Sequence, residues 1–429
     1  MYRSLIRMRK TSGFTRTALI MALAIWIAIP ASAAELALFG EIDGILQSLS
    51  EITGWKVKKH VKAGVLTREQ FRREVEQRIK KNVKPEEVRI ESLTLRMFGF
   101  VPESYNLVQN TVDLLSEQTA AYYDYDRKRL FLLDAAGREA DVDEDRIALV
   151  HELAHALADQ HFSLKKYTHK GAPSDDASSA RQAVMEGQAT WLMWAWSAKN
   201  AGGKAEVSPG ILAANADFFR GTGADNKNDK DASDLAKNKV FDETPLYIRE
   251  SMVFPYVEGL KFQEAVYRKM GQRAFTAVFS APPASTQQIL HSDAYFDRRN
   301  PLSPAPPAPP KTHRLLGEGT LGELDLALLL RQHAGEATAR SLSSSMRGGS
   351  FLLSETKTDK KPLLTFVTEW SSADMARKFF EAYPAVLRSK WKKLETKETT
   401  ASVVRGEGDY GPFELRLEGA RVISLEGTR

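Results

Sequence analysis

The sequence predicts an α+β protein: a long helix carrying functional side chains packs on a small sheet, and a second α+β module follows. Three observations lead there. Segments 141–162 and 180–198 place apolar residues at helical steps, residues 120–134 set two short apolar runs either side of a polar turn like a hairpin, and the chain beyond a proline-rich run at 301–312 mixes strand and helix patterns.

The chain opens with Arg3, Arg7, Arg9, Lys10 and Arg16, without an acid before residue 34, and continues into the apolar run ALIMALAIWIAIP and then Ala31-Ser32-Ala33. That order predicts a signal peptide over 1–33, cleaved after Ala33. The apolar run at 18–30 is shorter than the roughly 20 residues a bilayer crossing needs. The expected destination is a bacterial periplasm or the extracellular space, with no membrane span after cleavage. The net charge of +5 is carried by those five basic residues, so the remainder is neutral and nucleic-acid binding gains no support from charge. The chain has no cysteine, which excludes disulfides, a thiol nucleophile and a cysteine-ligated metal.

Residues 34–300 are expected to form one domain whose first part, 34–118, is mostly helical. Phe71, Val75 and Ile79 recur at four-residue spacing within 67–81, which predicts an amphipathic surface helix. Tyr122-Tyr123, a polar turn over 124–128 and the run Leu130–Leu133 predict two short paired strands. The next segment, DVDEDRIALVHELAHALADQHF, predicts a helix with Asp143 or Asp145 as cap and an acidic first turn. ARQAVMEGQATWLMWAWSA at 180–198 holds three of the seven tryptophans and reads as a buried helix. Residues 199–240, rich in Gly, Asn, Asp and Lys, read as a long mobile loop or a partly disordered insert, and 255–271 as another helix. The run PLSPAPPAPPKT predicts an extended linker over 301–312. In the module at 313–429, a helix is expected over 320–334, a strand over 362–370, a helix over 371–383 capped by Ser371 with Asp374, and a hairpin through Phe413–Leu417 and Val422–Leu425.

Two of only eight histidines, His151 and His155, flank Glu152 in the pattern H-E-x-x-H. On a helix, positions i and i+4 share one face, so both imidazoles can bind one zinc ion. Glu152 is then placed to take the proton of a zinc-activated water as it attacks a carbonyl. A catalytic zinc takes a third protein ligand. His161, six residues past His155, points the other way on a continuous helix. Glu186 is the better candidate, because it is an isolated acid in an apolar helix, where an unpaired carboxylate is costly. The alternative partner for it is Arg181. Gly187 beside it permits close approach of another backbone. Asp159, one turn beyond His155, is either a carboxylate orienting an imidazole or an exposed helix-end acid.

The stretches ALVHELAHAL and VMEGQAT resemble the gluzincin zinc metallopeptidases, the thermolysin-like clan. The resemblance covers about 120–200 and implies a zincin-like fold, a peptide or protein substrate, one zinc per chain held by His151, His155 and Glu186, and Glu152 as catalytic base. It also implies that the strand before the helix, Leu130–Leu133, is a sheet edge for an extended peptide, and that a Tyr or His steadies the oxyanion; Tyr256 and His291 are the candidates. The pattern departs from that of thermolysin itself, with thirty residues between His155 and Glu186 and Gly-Gln-Ala after the acid. The similarity is greater to compact bacterial members carrying H-E-x-x-H-A-L-x-D-Q-H-F and E-G-x-A. The competing expectation is a non-catalytic exported binding protein with a vestigial zinc site.

Overall fold

A computed structural model describes residues 33–134, 142–169, 172–220 and 238–428. The export segment expected over 1–33 therefore lies outside the described residues save Ala33, as does 221–237 of the expected loop. The described elements are α1 (Ala33–Gly40), α2 (Ile42–Thr53), β1 (Lys62–Leu66), α3 (Arg68–Asn82), α4 (Pro85–Phe98), α5 (Leu107–Gln118), β2 (Ala121–Asp124), β3 (Arg129–Leu133), α6 (Val142–Phe162), α7 (Leu164–His169), α8 (Asp175–Asn200), α9 (Pro209–Arg220), α10 (Lys239–Glu243), α11 (Leu246–Met270), α12 (Ala274–Ser280), α13 (Thr286–Leu290) and α14 (Ser292–Phe296). Beyond the proline-rich run come β4 (His313–Leu321), α15 (Glu323–Ala334), α16 (Glu336–Leu342), β5 (Met346–Thr356), β6 (Pro362–Trp370), α17 (Ala373–Lys390), β7 (Leu394–Thr399), β8 (Val403–Gly408), β9 (Gly411–Glu418) and β10 (Arg421–Gly427). The class is α+β. Among the described residues no helix is long and apolar enough to cross a membrane.

The first sheet has the order β1-β3-β2, with β1 parallel and β2 antiparallel to β3. Leu130–Leu133 is thus the middle strand and not the sheet edge that the resemblance implied. The short run KAGVL forms β1 and covers it, in a region expected to be mostly helical; five residues are too few to show alternation. The edge beside α6 is β2.

α6 begins at Val142 with Asp143, Glu144 and Asp145 in its first turn. The acids sit against the positive end of the helix dipole, inside the helix. Its middle is buried on nearly every side: Leu149, Val150, Leu153, Ala156 and Leu157 are inaccessible. α8 is a second buried helix, capped by Ser174, whose side chain accepts from the Ala177 N–H. Two expectations shift. Residues 209–220 form α9 inside the stretch expected to be a loop. The helix expected to begin at Pro255 begins at Leu246 and carries Pro255 internally; proline is favoured in a first helical turn, which made it look like a start.

The second sheet runs β4-β5-β6-β10-β9-β8-β7, antiparallel throughout. α17 lies against β6, β9 and β10. Its cap is Ser372, accepting from the Met375 N–H, one residue later than the expected Ser371. The proline-rich run is extended and tied to β5 by the Leu302 N–H donating to the Arg347 carbonyl at 2.7 Å. One continuous hydrophobic core reaches from Leu38 to Val422 across it.

The start of α8 is fixed to the C-terminal module. Asp176 N–H donates to Thr320 Oγ1 at 3.2 Å. Its Oδ1 accepts from the Thr286 N–H at 2.8 Å and the Thr286 hydroxyl at 2.6 Å. Burial nevertheless pushes Asp176 up to about 7 from its ordinary 3.8; the Thr286 bonds oppose the rise, and Asp325 and Glu323 add to it. A carboxyl raised on folding stabilises the fold fully below its unfolded value and loses that contribution, at about 1.4 kcal/mol per unit, as pH climbs from the unfolded value through the folded one. Asp176→Asn is therefore expected to raise Tm at about pH 8 and to change it little only below the unfolded value, at about pH 3. Calorimetry at the two values checks this, and an unchanged pH profile would contradict it.

Candidate metal centre

α6 presents His151 and His155 on one face, one turn apart, and α8 brings Glu186 to them. The three side chains are buried, each less than a tenth exposed. His155 Nε2 lies 3.1 Å from His151 Nε2 and 3.0 Å from Glu186 Oε2, and His151 Nε2 lies 3.3 Å from the same oxygen. The two rings stand nearly perpendicular, 83° apart.

These spacings test whether the residues suit a metal. In a tetrahedral site with bonds of about 2.0–2.1 Å, neighbouring donor atoms stand about 3.3 Å apart. All three observed separations fall close to that figure. The two imidazole nitrogens facing each other at 3.1 Å leave at least one of them unprotonated, the form that binds a metal. The group His151, His155 and Glu186 fits a zinc ion by distance, donor type and burial.

Glu186 does not pair with Arg181, whose guanidinium turns away to donate to the Tyr167 carbonyl. Burial alone would raise the Glu186 carboxyl, but the flanking His155 and His151 hold it well below the usual carboxylate range. Burial likewise opposes a charge on His155, and Glu186 outweighs it, so His155 is raised.

Glu186 reaches the histidines because α8 crosses α11 at two glycines. A Cβ on Gly187 would lie 2.1 Å from the Gly259 carbonyl carbon, and one on Gly259 would lie 2.1 Å from the Ala183 oxygen. The close approach anticipated at Gly187 is this crossing.

Glu152 is half-buried beside the three donors. The Tyr123 N–H on the edge of β2 donates to its Oε2 at 2.6 Å. Burial raises its carboxyl, against the pull of His155 and His151. Asp159 accepts from the Tyr123 hydroxyl, the Lys128 ammonium and the Leu164 N–H, so it fastens the hairpin and α7 to α6. His161 points away, stacked on Trp55 and hydrogen-bonded to the Lys56 carbonyl.

Of the two oxyanion candidates, the structure brings only Tyr256 to the group. Its ring centroid lies 5.8 Å from that of His151, and burial, with Glu186 and Glu152 nearby, holds its hydroxyl well above the ordinary tyrosine value. His291 instead pairs with Glu323 at 2.8 Å, near the junction with the C-terminal module. α9 completes the surround: Phe219 stacks on Tyr256 at 4.7 Å, and Asn215 donates to the Tyr256 carbonyl. Both residues lie in a segment whose composition predicts a loop. Ile211, Leu212, Ala216 and Phe219 do follow a helical step after Pro209, and that signal could have revealed α9.

Removing a ligand gives a direct check. Zinc binding to the folded chain stabilises it by mass action, about 2.7 kcal/mol at a hundredfold excess over Kd. Zinc is expected to raise the Tm of the chelator-treated protein and to leave that of His155→Ala unmoved in thermal unfolding. An equal rise in both would place the ion elsewhere.

Residues 313–429 match the model of a family described as a domain of unknown function, DUF8575. The match begins at His313, where β4 begins, and includes neither α6 nor α8. No curated protein and no solved structure matches the chain.

Proposed function

We propose that the protein is an exported zinc metallopeptidase of the gluzincin type, with a zincin-like catalytic domain and a peptide or protein as substrate. The observation that carries this reading is the convergence of His151, His155 and Glu186 at 3.0–3.3 Å with Glu152 alongside. A closed structural zinc site has no use for a half-buried carboxylate next to its donors.

His151, His155 and Glu186 would hold the ion. When bound, zinc supplies Lewis acidity and lowers the pKa of a water to about 7. Glu152 receives the proton of the attacking water and returns it to the leaving amine. The Tyr123 N–H fixes the direction of Glu152 and ties it to β2. An extended peptide lying along β2, the strand edge next to α6, would bring its carbonyl to this point by backbone pairing. Tyr256 is the donor for the negative charge that develops on the carbonyl oxygen.

The test is metal dependence. The purified protein is expected to cleave casein or a mixed peptide library, to lose that activity after chelation and to regain it with about one equivalent of zinc. Cleavage that survives chelation would contradict the proposal. Zinc binding without cleavage of varied peptides would favour a non-catalytic exported binding protein.

A further inference from the structure

We propose that the loop joining α2 to β1 docks the protein on the surface of an anionic phospholipid bilayer. The inference stands apart from the zinc reading and does not depend on it.

Charge carries it first. From Ile52 to Arg68 the chain has no acid, and residues 56–62, KVKKHVK, hold four lysines. Lys56, Lys58, Lys59 and Lys62 are all exposed. Two neighbours extend the patch. Exposed Arg273 follows Gln272, whose side chain donates to the Glu51 and Ile52 carbonyls just before the loop. Exposed Lys166 lies on α7, which leaves α6 at the end where the loop packs. Among the described residues none of these six cations has an ion pair, whereas Lys128 and Lys165 are paired with Asp159 and Asp126. The acids bordering the loop are engaged elsewhere, Asp43 by His60 and Glu51 by Lys199. A cluster of roughly four to eight unpaired cations is the size that binds anionic headgroups.

The build of the loop argues second. Buried Trp55 stacks on His161 at 5.6 Å and donates from Nε1 to the Thr276 hydroxyl at 2.9 Å. The Gln160 side-chain oxygen accepts from the Lys58 and Lys59 N–H groups at 2.7 and 3.0 Å, and its amide donates to the Lys59 carbonyl at 3.0 Å. The backbone is thus fixed on the end of α6, and its cations are presented together at little entropic cost. Val57, 37% exposed, stands between Lys56 and Lys58 and is one of three exposed large apolar side chains among the described residues. An apolar group flanked by lysines suits a bilayer, where it enters below the headgroups while the ammonium groups stay at the phosphates. A free phosphate or a nucleic acid backbone offers that side chain nothing. Gln160 follows His155 by five residues, about 7.5 Å along α6, so a docked chain would carry the candidate metal group close to the lipid headgroups.

Lysine acylation read by mass spectrometry on the full chain tests the surface itself. Vesicles of phosphatidylcholine with phosphatidylglycerol are expected to shield Lys56, Lys59 and Lys62 but not exposed Lys393 of the C-terminal module, and added salt to reverse the shielding. Phosphatidylcholine alone and inorganic phosphate are expected to shield none of them. In the triple variant Lys56→Gln, Lys59→Gln, Lys62→Gln, the lipid concentration that half-shields Lys58 is expected to rise on the order of 100-fold, at about fivefold per lysine. Val57→Ser is expected to raise it by a smaller factor, and both variants, altered only at exposed side chains, to keep the wild-type Tm. Absence of shielding by anionic vesicles, equal shielding by phosphatidylcholine or by inorganic phosphate, or an unmoved triple variant would overturn the proposal. Stronger shielding by a DNA duplex than by anionic vesicles would overturn it in favour of a nucleic acid.

Discussion

Glu152→Gln is expected to lower kcat for peptide cleavage by about 10²–10⁴-fold, the usual contribution of a positioned general base, with zinc content unchanged. Glutamine is the informative replacement. Its side-chain oxygen can still accept from the Tyr123 N–H, which now reaches Glu152 at 2.6 Å, so the link between α6 and β2 persists. What disappears is the capacity to take a proton. Because Glu152 is adjacent to His151 without being one of the three converging donors, the ion should stay. Steady-state kinetics alongside metal analysis separates the effects, and a loss of zinc in step with activity would show that Glu152 acts through the ligands.

The largest structural effect is expected from Gly187→Ala. The added Cβ would fall 2.1 Å from one Gly259 backbone atom and 2.3 Å from another. Both clashing groups are backbone, so no rotamer relieves them, and α8 and α11 must move apart. Overpacking of this kind costs typically about 1–3 kcal/mol, occasionally more. The displacement should also reach the metal, since Glu186 is the neighbouring residue and Tyr256 lies one turn before Gly259. Gly187→Ala should thus lower both Tm and zinc affinity. Gly44→Ala is the matched control: in α2 a Cβ there meets nothing within 4 Å, and alanine is the better helix former by roughly 0.5–1 kcal/mol. If Gly187→Ala unfolds and binds zinc like wild type, the crossing does not position Glu186.

The candidate metal group was legible because its chemistry is written locally. His151, Glu152 and His155 declare a helix face by spacing alone, and Glu186 stands out as a lone acid in an apolar run. Gly187 was readable for the same reason: a glycine within a buried helix needs a neighbour close enough to require it. The sheet edge was not legible, because it depends on β1, whose five residues carry no pattern that distinguishes them from loop and whose partner β3 is 67 residues downstream, Lys62 facing Arg129. β4, β5, β7 and β8 escaped similarly. β7 is exposed along nearly its whole length and β5 opens with glycines, so neither shows the alternation of a half-buried strand. The roles of Asp159 and Tyr256 are tertiary. Asp159 serves Lys128 and Leu164, and Tyr256 comes beside His151 from α11, which crosses α8 nearby.

The central claim is that one zinc ion, held by His151, His155 and Glu186, drives peptide hydrolysis with Glu152 as base. The most direct measurement is zinc per chain and casein cleavage for wild type and Glu152→Ala, purified without chelator. About one zinc in both proteins, with cleavage by wild type alone, is the predicted result. Zinc-free wild type, or equal cleavage by the two proteins, would contradict it.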